Sequence, residues 1–369
     1  MTGGLDVKIL ILTGKFGMGH WSASQTLAQQ FQDEEPGTEV KVLDFIDYAV
    51  PSASEAWYKG FSLLVTHGSG IYNTYYKMTE NMESDAHPPF EWHFLDRLET
   101  LLEEERPDMV VATHPLCAQL VSRWKQETGV SLPLITCITD LSVHGEWINS
   151  NTDCYLVGTP ELREQLARKG VDPAIIVPTG IPVKAQFKTT PHQRDGQRRH
   201  LLIMGGGLGL LPRKERFYEE LNALPGVETT IIAGRNEKLR ERLEGKYEHI
   251  HVVGYTDRVY DYMAQADLML SKPGGITMFE SIFSELPLLA WEPFLQQEIN
   301  NARFLVRAGI GAVAAKEIED CLEAIRNLIY DREKLSAMAG NMRRLKSQLA
   351  DNTLGAILET LRVMKGACA

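Results

Sequence analysis

The sequence predicts an α/β protein of two Rossmann-like domains in tandem, each with a parallel sheet, the two sheets facing a central cleft. The chain has 369 residues, which is too many for one ordinary hydrophobic core. Apolar runs of about four to seven residues alternate with longer helical stretches, a pattern typical of doubly wound parallel sheets. The runs form two series, and the polar stretch at 188–199 between them has no apolar periodicity.

The two series of apolar runs predict the strands of each domain. We expect a first domain over residues 1–187, a linker over 188–199 and a second domain over 200–347. Because ligands of such sheets bind beyond the carboxyl ends of the strands, functional residues are expected in the loops that follow them. The predicted strands are 7–12, 39–45, 109–113, 134–139, 154–158 and 175–179, then 201–204, 228–233, 250–253, 268–271, 288–291 and 311–314.

One segment, residues 48–95, breaks the alternation because it is rich in aromatic side chains. Two Rossmann-like domains do not require so long an insertion. Either it is an elaborated helical surface with its own core, or it forms an acceptor groove or a face that touches a membrane. Its aromatic residues are Trp57, Tyr58, Phe61, Tyr72, Tyr75, Tyr76, Phe90, Trp92 and Phe94.

Composition and charge exclude several classes of function. The net charge of −11 argues against nucleic acid as a partner, and it weakens the case for attraction to anionic lipid. No apolar run approaches the roughly 20 residues of a membrane span, and the N-terminus lacks a signal-peptide pattern, so we expect a cytoplasmic protein. The cysteines have no CxxC spacing, which predicts reduced thiols and no metal site. They are Cys117, Cys137, Cys154, Cys321 and Cys368.

The most informative motif follows the predicted strand at 268–271. It reads Ser-Lys-Pro-Gly-Gly-Ile-Thr and continues as a helix. A strand that turns through Gly274 and Gly275 into a helix directs several backbone N–H groups at open space, and the helix dipole adds about half a positive charge. Glu280 lies about one helical turn further on, where a carboxylate can accept hydrogen bonds from ribose hydroxyls. The motif predicts a site for a nucleotide diphosphate that carries a sugar.

Two other glycine-rich loops follow predicted strands. The loop after the first strand contains Gly17, Gly19 and His20. It is either a tight turn with a capping histidine or a site whose imidazole accepts a proton near neutral pH. The loop at 205–209 has four glycines in five positions, among them Gly206 and Gly207. A structural turn needs fewer, which favours contact with phosphate or sugar.

Two polar clusters also follow strands. Gln297 and Glu298 come after the strand at 288–291, where they either recognise sugar hydroxyls or begin a solvated helix. Asp140 and His144 come after the strand at 134–139. This Asp and His, four residues apart, could act as a base, orient one or bind an acceptor, and the alternative for the Asp is a helix cap.

Taken together, these motifs give the chain a specific resemblance. It resembles the monogalactosyldiacylglycerol synthase and processive diacylglycerol glucosyltransferase family. It is more distantly similar to the enzyme that adds N-acetylglucosamine to a lipid-linked peptidoglycan precursor. The matching pieces are the glycine loop ending in His20, Thr139-Asp140 with His144 and Trp147, Thr179-Gly180-Ile181-Pro182, Gly254-Tyr255, the segment 271–277, and Gln297-Glu298 with Asn301.

The resemblance implies a GT-B fold and an inverting, metal-independent glycosyltransferase whose C-terminal domain holds a UDP-sugar. It places His20 in the cleft as the first candidate for the base, with Asp140 as the second or its assistant. His144 and Trp147 are the acceptor candidates, and the final helix, 348–369, crosses back to the first domain. The resemblance puts Gly275, Ile276 and Thr277 on the diphosphate, Tyr255 at the uracil edge, Glu280 on the ribose, and Gln297 and Glu298 on the sugar. Further contacts with the donor are expected at Gly19, Gly206, Gly207 and Gly274.

The expected reaction moves a hexose or N-acetylhexosamine from UDP to an acceptor hydroxyl, without a cofactor. The acceptor is a diacylglycerol-type lipid or a soluble small molecule. With a lipid acceptor, the protein would sit peripherally at the inner face of the membrane, in contact through the aromatic insertion. Two rivals stay open: a UDP-sugar 2-epimerase and a non-catalytic nucleotide-sugar sensor.

Overall fold

A computed structural model of the protein describes residues 7–16, 18–80, 91–193, 196, 198–206 and 211–367. The chain divides into two compact units. The first consists of residues 1–183 and 348–369, and the second of residues 184–347.

The first unit alternates strands with helices and carries three additional helices between its second and third strands. Two short 3-10 helices, Gly145–Trp147 and Pro173–Ile175, lie in its loops. In chain order its elements are β1 (Lys8–Thr13), α1 (Met18–Glu34), β2 (Glu39–Asp44), α2 (Phe45–Ala49), α3 (Ser54–His67), α4 (Ser69–Thr79), α5 (Glu91–Glu105), β3 (Met109–Ala112), α6 (Pro115–Thr128), β4 (Leu134–Cys137), β5 (Cys154–Val157), α7 (Pro160–Arg168) and β6 (Ile176–Pro178).

The second unit repeats the alternation, and the chain then returns to the first unit. The elements of the second unit are α8 (Gln186–Thr189), β7 (Arg199–Met204), α9 (Glu215–Asn222), β8 (Val227–Ile232), α10 (Glu237–Leu243), β9 (Ile250–Val253), α11 (Val259–Gln265), β10 (Leu268–Ser271), α12 (Gly275–Phe283), β11 (Leu288–Ala290), α13 (Gln296–Arg307), β12 (Gly311–Val313), α14 (Ile318–Ile329) and α15 (Arg332–Lys346). Helix α16 (Thr353–Ala367) belongs to the first unit.

Within the described residues each unit has one six-stranded sheet in which every strand pair is parallel. The strand orders are β2-β1-β3-β4-β5-β6 and β12-β11-β10-β7-β8-β9. In each sheet the chain adds strands first towards one edge and then towards the other. The change of direction lies between β1 and β3 in the first sheet and between β7 and β10 in the second. Loops at such a reversal diverge and leave a crevice where doubly wound sheets bind ligands. The predicted α/β fold class with two parallel sheets is confirmed.

Strand alternation explains how the first sheet buries both faces. Successive side chains of a strand point to opposite faces. In β1, Leu10 and Leu12 pack on one face with Phe94 of α5 and Val121 of α6. Ile9 and Ile11 pack on the other face with Leu27 and Phe31 of α1, and with Leu354 and Ile357 of α16. Helix α16 is therefore a structural part of the first unit.

The side chain of Glu34 caps helix α16. The backbone N–H groups of Thr353 and Leu354 donate to its two carboxylate oxygens over 3.0 and 2.7 Å. These amides belong to the first turn, where N–H groups lack a partner inside the helix, and an anion there also interacts favourably with the helix dipole. Glu34 thus joins the end of α1 to the start of α16.

Most predicted strands differ from the observed ones by a residue or two. β1 begins at Lys8 and includes Thr13, while β7 begins at Arg199 inside the predicted linker. The division between units falls after Val183 rather than after residue 187. Phe187 gives the physical reason, because it is buried and its ring lies 5.9 Å from that of Tyr260 in an edge-on contact within the second unit.

The aromatic insertion is helical. Phe61 of α3 lies edge-on to Phe16 at 5.2 Å and to Tyr72 of α4 at 6.1 Å, so part of the insertion packs on the loop that follows β1. Other side chains face solvent: Ile71 is 69% exposed and Met78 is 76% exposed. Residues 81–90, with the predicted aromatic Phe90, lie outside the described residues.

We predict that Glu34→Ala destabilises the attachment of α16 by about 1 kcal/mol, because loss of a capping oxygen typically costs that much. Amide hydrogen exchange should accelerate in residues 353–360 before it does so in the sheet, and the urea midpoint of the first unit should fall. Glu359→Ala, an equivalent change at an exposed position of α16, is the control and should alter neither. Equal exchange in the two variants would contradict the capping role.

Candidate functional site

His20 lies at the point where the first sheet reverses its strand order. It occupies the first turn of α1, directly after β1. Its Nδ1 atom lies 2.9 Å from the carbonyl oxygen of Thr113, which follows β3, and 2.9 Å from Oγ1 of Thr139, which follows β4. Residues that follow three adjacent strands thus meet at one imidazole, as expected because the carboxyl ends of parallel strands lie at the same edge of a sheet.

The Thr113 carbonyl determines the tautomer of His20. A carbonyl oxygen only accepts hydrogen bonds, so Nδ1 carries the proton and Nε2 keeps its lone pair in the neutral ring. Buried hydroxyls hold Thr113 in turn: its Oγ1 lies 2.7 Å from Oγ of Ser24 and donates to Oγ1 of Thr13 over 2.9 Å. The arrangement presents Nε2 as a proton acceptor.

Asp140 is the charged partner of His20. Burial lowers the pKa of His20 below its usual value, while the Asp140 carboxylate and the hydrogen bond to Thr113 raise it. The indole Nε1 of Trp147 donates to Oδ2 of Asp140 over 3.2 Å. An imidazole with a lowered pKa stays neutral at physiological pH, and the nearby carboxylate favours the imidazolium that forms once it takes a proton.

The two acceptor candidates are buried. His144 is 3% exposed and Trp147 is 1% exposed. Trp147 lies with its ring 6.3 Å from that of His20 and contacts Asp140, while His144 contacts residues of α4. These contacts join both side chains to other groups of the protein, so direct contact with an acceptor stays a prediction. Of the glycine loop before His20, Gly19 lies in the first turn of α1 and Gly17 is outside the described residues.

In the second unit, the predicted diphosphate motif forms a strand, a turn and a helix. β10 ends at Ser271 and α12 begins at Gly275, with Gly274 as the N-cap residue. The first intrahelical bond of α12 is donated by Met278 to Gly274, so the N–H groups of Gly275, Ile276 and Thr277 precede it. A Cβ placed on Gly274 would meet only the Thr277 hydroxyl, at 4.0 Å, which leaves room for a ligand.

Helix α13 supports this turn and adds charged groups. The amide of Asn301, which is buried, donates to the Pro273 carbonyl over 2.9 Å and holds the turn in place. Gln297 and Glu298 lie in the first turn of α13 and are partly buried. Burial raises the pKa of Glu298, and the Lys272 ammonium lowers it. Lys272 also lies 5.5 Å from the ring of Phe294.

The remaining donor candidates follow two other strands of the same sheet, β7 and β9. Tyr255 follows β9, is 65% exposed, and lies 5.6 Å from the guanidinium of Arg235. Gly206 follows β7 with a φ of +69°, a left-handed conformation that favours glycine. Gly207 lies outside the described residues.

Glu280 interacts with a lysine that the sequence analysis did not single out. Burial raises the pKa of Glu280 to about 7, and the ammonium of Lys184 lowers it. The same ammonium donates to the carbonyl of Asp257 over 3.2 Å, two residues beyond Tyr255. Lys184 therefore links the loop after β9 to helix α12.

Sequence reasoning missed Lys184 and Lys272 as functional residues. Both lie in or near motifs identified in the sequence: Lys184 comes two residues after the segment 179–182, and Lys272 lies inside the segment 271–277. A lysine beside a glycine-rich turn is a usable signal for anion binding. What the sequence could not supply is which carboxylate each lysine faces.

Comparison with known proteins agrees with this architecture. Residues 20–183 match the family described as monogalactosyldiacylglycerol (MGDG) synthase, and residues 200–354 match the glycosyltransferase family 28 C-terminal domain. The chain is 29% identical over 366 residues to a processive diacylglycerol beta-glucosyltransferase of Bacillus thuringiensis, with 95% of this chain and 93% of that one covered.

Two solved structures show the same fold. MurG of Acinetobacter baumannii has a TM-score of 0.67 at 14% identity, with 96% of this chain and 99% of that one covered. The spinosyn rhamnosyltransferase SpnG has a TM-score of 0.62 at 16% identity, with the same coverages.

The fold and the two matching families define the class of this protein: it is a glycosyltransferase with the two-domain GT-B fold. Residues 20–183 carry the domain of monogalactosyldiacylglycerol synthases, and residues 200–354 carry the C-terminal domain of glycosyltransferase family 28. The resemblance inferred from the motifs is confirmed. Across the part of the chain that the structure describes, no helix combines the length and apolarity needed to cross a bilayer.

We predict that Lys184→Met makes UDP binding more pH-dependent. If Glu280 accepts hydrogen bonds from ribose, it must be ionised, so UDP affinity rises as the pH rises through its pKa of about 7. Loss of the Lys184 ammonium raises that pKa. A rise of about one pKa unit would weaken UDP binding about fivefold at pH 7 and very little at pH 9.

Titration calorimetry with UDP between pH 6 and pH 9 measures this effect. Lys188→Met is the matched control, because Lys188 lies in α8 over the ring of Phe283, at 4.7 Å, rather than beside Glu280. If Lys184→Met lowered the affinity for UDP by the same factor at every pH, Lys184 would not act through Glu280.

Proposed function

We propose that this protein transfers a hexose or N-acetylhexosamine from a UDP-sugar to the hydroxyl of a diacylglycerol-type lipid, with inversion and without a metal ion. The first unit supplies the base and the second unit holds the donor. The observation that carries the proposal is the 2.9 Å contact between Nδ1 of His20 and the Thr113 carbonyl oxygen, because it assigns the ring proton to Nδ1 and leaves Nε2 able to accept the hydroxyl proton.

The proposed reaction is a single displacement. Nε2 of His20 takes the proton of the acceptor hydroxyl, and that oxygen attacks the anomeric carbon of the sugar. The bond from this carbon to the diphosphate oxygen breaks, and its electron pair leaves with UDP. A single in-line attack inverts the configuration at the anomeric carbon. Asp140 stabilises the imidazolium that forms on His20.

The donor site in the second unit suits a leaving diphosphate. The first-turn amides of α12 and the positive end of its dipole can stabilise the charge that develops on UDP. Lys272, in the loop between β10 and α12, adds a positive charge. Glu280 is proposed to accept from the ribose hydroxyls, and Gln297 and Glu298 to contact the sugar. These groups give leaving-group stabilisation that a metal ion provides in other transferases.

A lipid acceptor is supported by the named activity of the Bacillus thuringiensis relative, which is a diacylglycerol glucosyltransferase. The aromatic insertion has the composition of a membrane-contacting surface. Residues 56–79 contain no Asp or Glu, although the whole chain has a net charge of −11. Ile71, Tyr75 and Met78 of α4 are exposed. Aromatic and aliphatic side chains beside lysines suit a lipid interface, and we propose that α3 and α4 contact the cytoplasmic face of the membrane.

We predict that a panel of UDP-sugars offered with diacylglycerol vesicles yields a glycosyl-diacylglycerol, detected by product mass. A parallel series with soluble acceptors and one without acceptor separates the rivals. Product formed only with soluble acceptors would indicate that the acceptor is a small molecule and not a lipid. An epimerised UDP-sugar in the absence of acceptor would indicate the 2-epimerase. Binding of UDP with no product in any series would indicate a nucleotide-sugar sensor.

We predict that His20→Ala lowers kcat at least about 100-fold, because a general base contributes about 10² to 10⁴ in rate. The Kd for UDP should stay within about twofold, since the proposed donor groups lie in the second unit. His93→Ala, which changes a histidine on α5, is the control and should leave kcat unchanged. Retention of the wild-type rate by His20→Ala would exclude His20 as the base.

A further inference from the structure

Helix α4 is attached to the loop that carries Asp140. This loop, residues 140–147, follows β4 and ends in the 3-10 helix. The N–H of Gly145 donates to the Glu80 carbonyl over 3.1 Å. Oγ of Ser142 lies 3.2 Å from the hydroxyl of Tyr76, and the hydroxyl of Tyr75 donates to the Glu146 carboxylate. The carboxyl end of α4 and the 140–147 loop therefore form one hydrogen-bonded group.

His144 lies at the centre of this group, and both of its ring nitrogens are engaged. Nε2 lies 3.0 Å from the carbonyl oxygen of Tyr76 and 3.1 Å from Oγ1 of Thr79. Oγ1 of Thr79 donates to the Tyr75 carbonyl over 2.8 Å, so it accepts from Nε2. Nδ1 accepts from the N–H of Glu146 over 3.3 Å.

These partners allow one neutral form of the ring. The Tyr76 carbonyl can only accept and the Glu146 N–H can only donate, so Nε2 carries the proton and Nδ1 does not. This is the opposite tautomer to that of His20. The ring also lies 4.3 Å from the ring of Tyr76. His144 therefore donates to α4 through one nitrogen and caps the 3-10 helix through the other.

The same loop reaches the base at its other end. Thr139, which precedes it, contacts Nδ1 of His20 over 2.9 Å. Trp147, which ends it, donates to Asp140. On its solvent side α4 exposes Ile71, Tyr75 and Met78, the surface proposed above to contact lipid. One continuous set of contacts therefore runs from that surface through His144 to Asp140 and His20.

We propose that His144 is a positioning residue: by donating from Nε2 to helix α4, it couples the contact of α4 with a lipid surface to the placement of Asp140 beside His20. This inference rests on the proposed function and deepens it, because it makes the base of the transfer reaction depend on the helix that meets the acceptor membrane.

Two substitutions separate the two nitrogens of His144. In His144→Asn the amide oxygen can take the place of Nδ1 and keep the cap on the 3-10 helix, but the side chain is too short to reach α4. In His144→Gln the longer side chain can place its amide N–H near the Nε2 position and keep the contact with α4. Thr79→Val removes one acceptor of the Nε2 proton with little change in volume, and Thr74→Ala on the same helix is the control.

The experiment measures kcat/KM against pH with diacylglycerol in phosphatidylcholine vesicles and with a dispersed short-chain diacylglycerol. Asp140 raises the pKa of His20, so loss of its placement lowers that pKa. We expect His144→Asn to lose at least about tenfold in kcat/KM on vesicles, less on the dispersed acceptor, with the acidic limb of the profile moved to lower pH. His144→Gln and Thr74→Ala should resemble the wild type, and Thr79→Val should be intermediate.

A purely structural role predicts a different result. The rate of His144→Asn would then fall equally on both acceptors and in proportion to the fall in its melting temperature, and the acidic limb of its pH profile would not move. This result would overturn the proposal. A wild-type profile for both His144→Asn and Thr79→Val would overturn it as well. If His144→Asn does not fold, Thr79→Val carries the same comparison. Failure of the wild type to glycosylate any diacylglycerol would instead refute the proposed function.

Discussion

The hydrogen bond between Nδ1 of His20 and the Thr113 carbonyl is the interaction on which the proposed chemistry depends. It exists because β1 and β3 are neighbours in a parallel sheet, so their carboxyl ends lie side by side. A main-chain acceptor cannot change its role with pH, and it therefore holds the imidazole in one tautomer whenever the ring is neutral. The fold itself, rather than a further side chain, prepares Nε2 to accept a proton.

His20 and His144 show that position in the fold assigns a histidine its role. Each has one nitrogen held by a backbone carbonyl, but the bonded nitrogen is Nδ1 in one ring and Nε2 in the other. The second nitrogen of His144 is occupied by a backbone N–H, which leaves no lone pair for catalysis. The 140–147 loop joins the two rings, so the proposed base and the proposed positioning residue belong to one network.

The second unit balances burial against charge around its glycine turn. Burial raises the pKa of both Glu280 and Glu298, and a single lysine opposes it in each case, Lys184 for the first and Lys272 for the second. A desolvated carboxylate that is ionised can accept strong hydrogen bonds from hydroxyl groups of a ligand. Each lysine favours the ionised form of its carboxylate, so the charge of each glutamate depends on one neighbouring cation.

The sequence by itself determined the fold class and the location of the candidate sites. Short apolar runs between helical stretches specify parallel strands, and the Gly274-Gly275 pair directly after such a run marks the turn before α12, so the sequence alone indicates both features. Tertiary structure alone decided the tautomers of His20 and His144, the burial of Trp147 and the carboxylate that Lys184 faces. These properties depend on contacts between residues far apart in the chain, and no local pattern encodes which groups the folded sheets bring together.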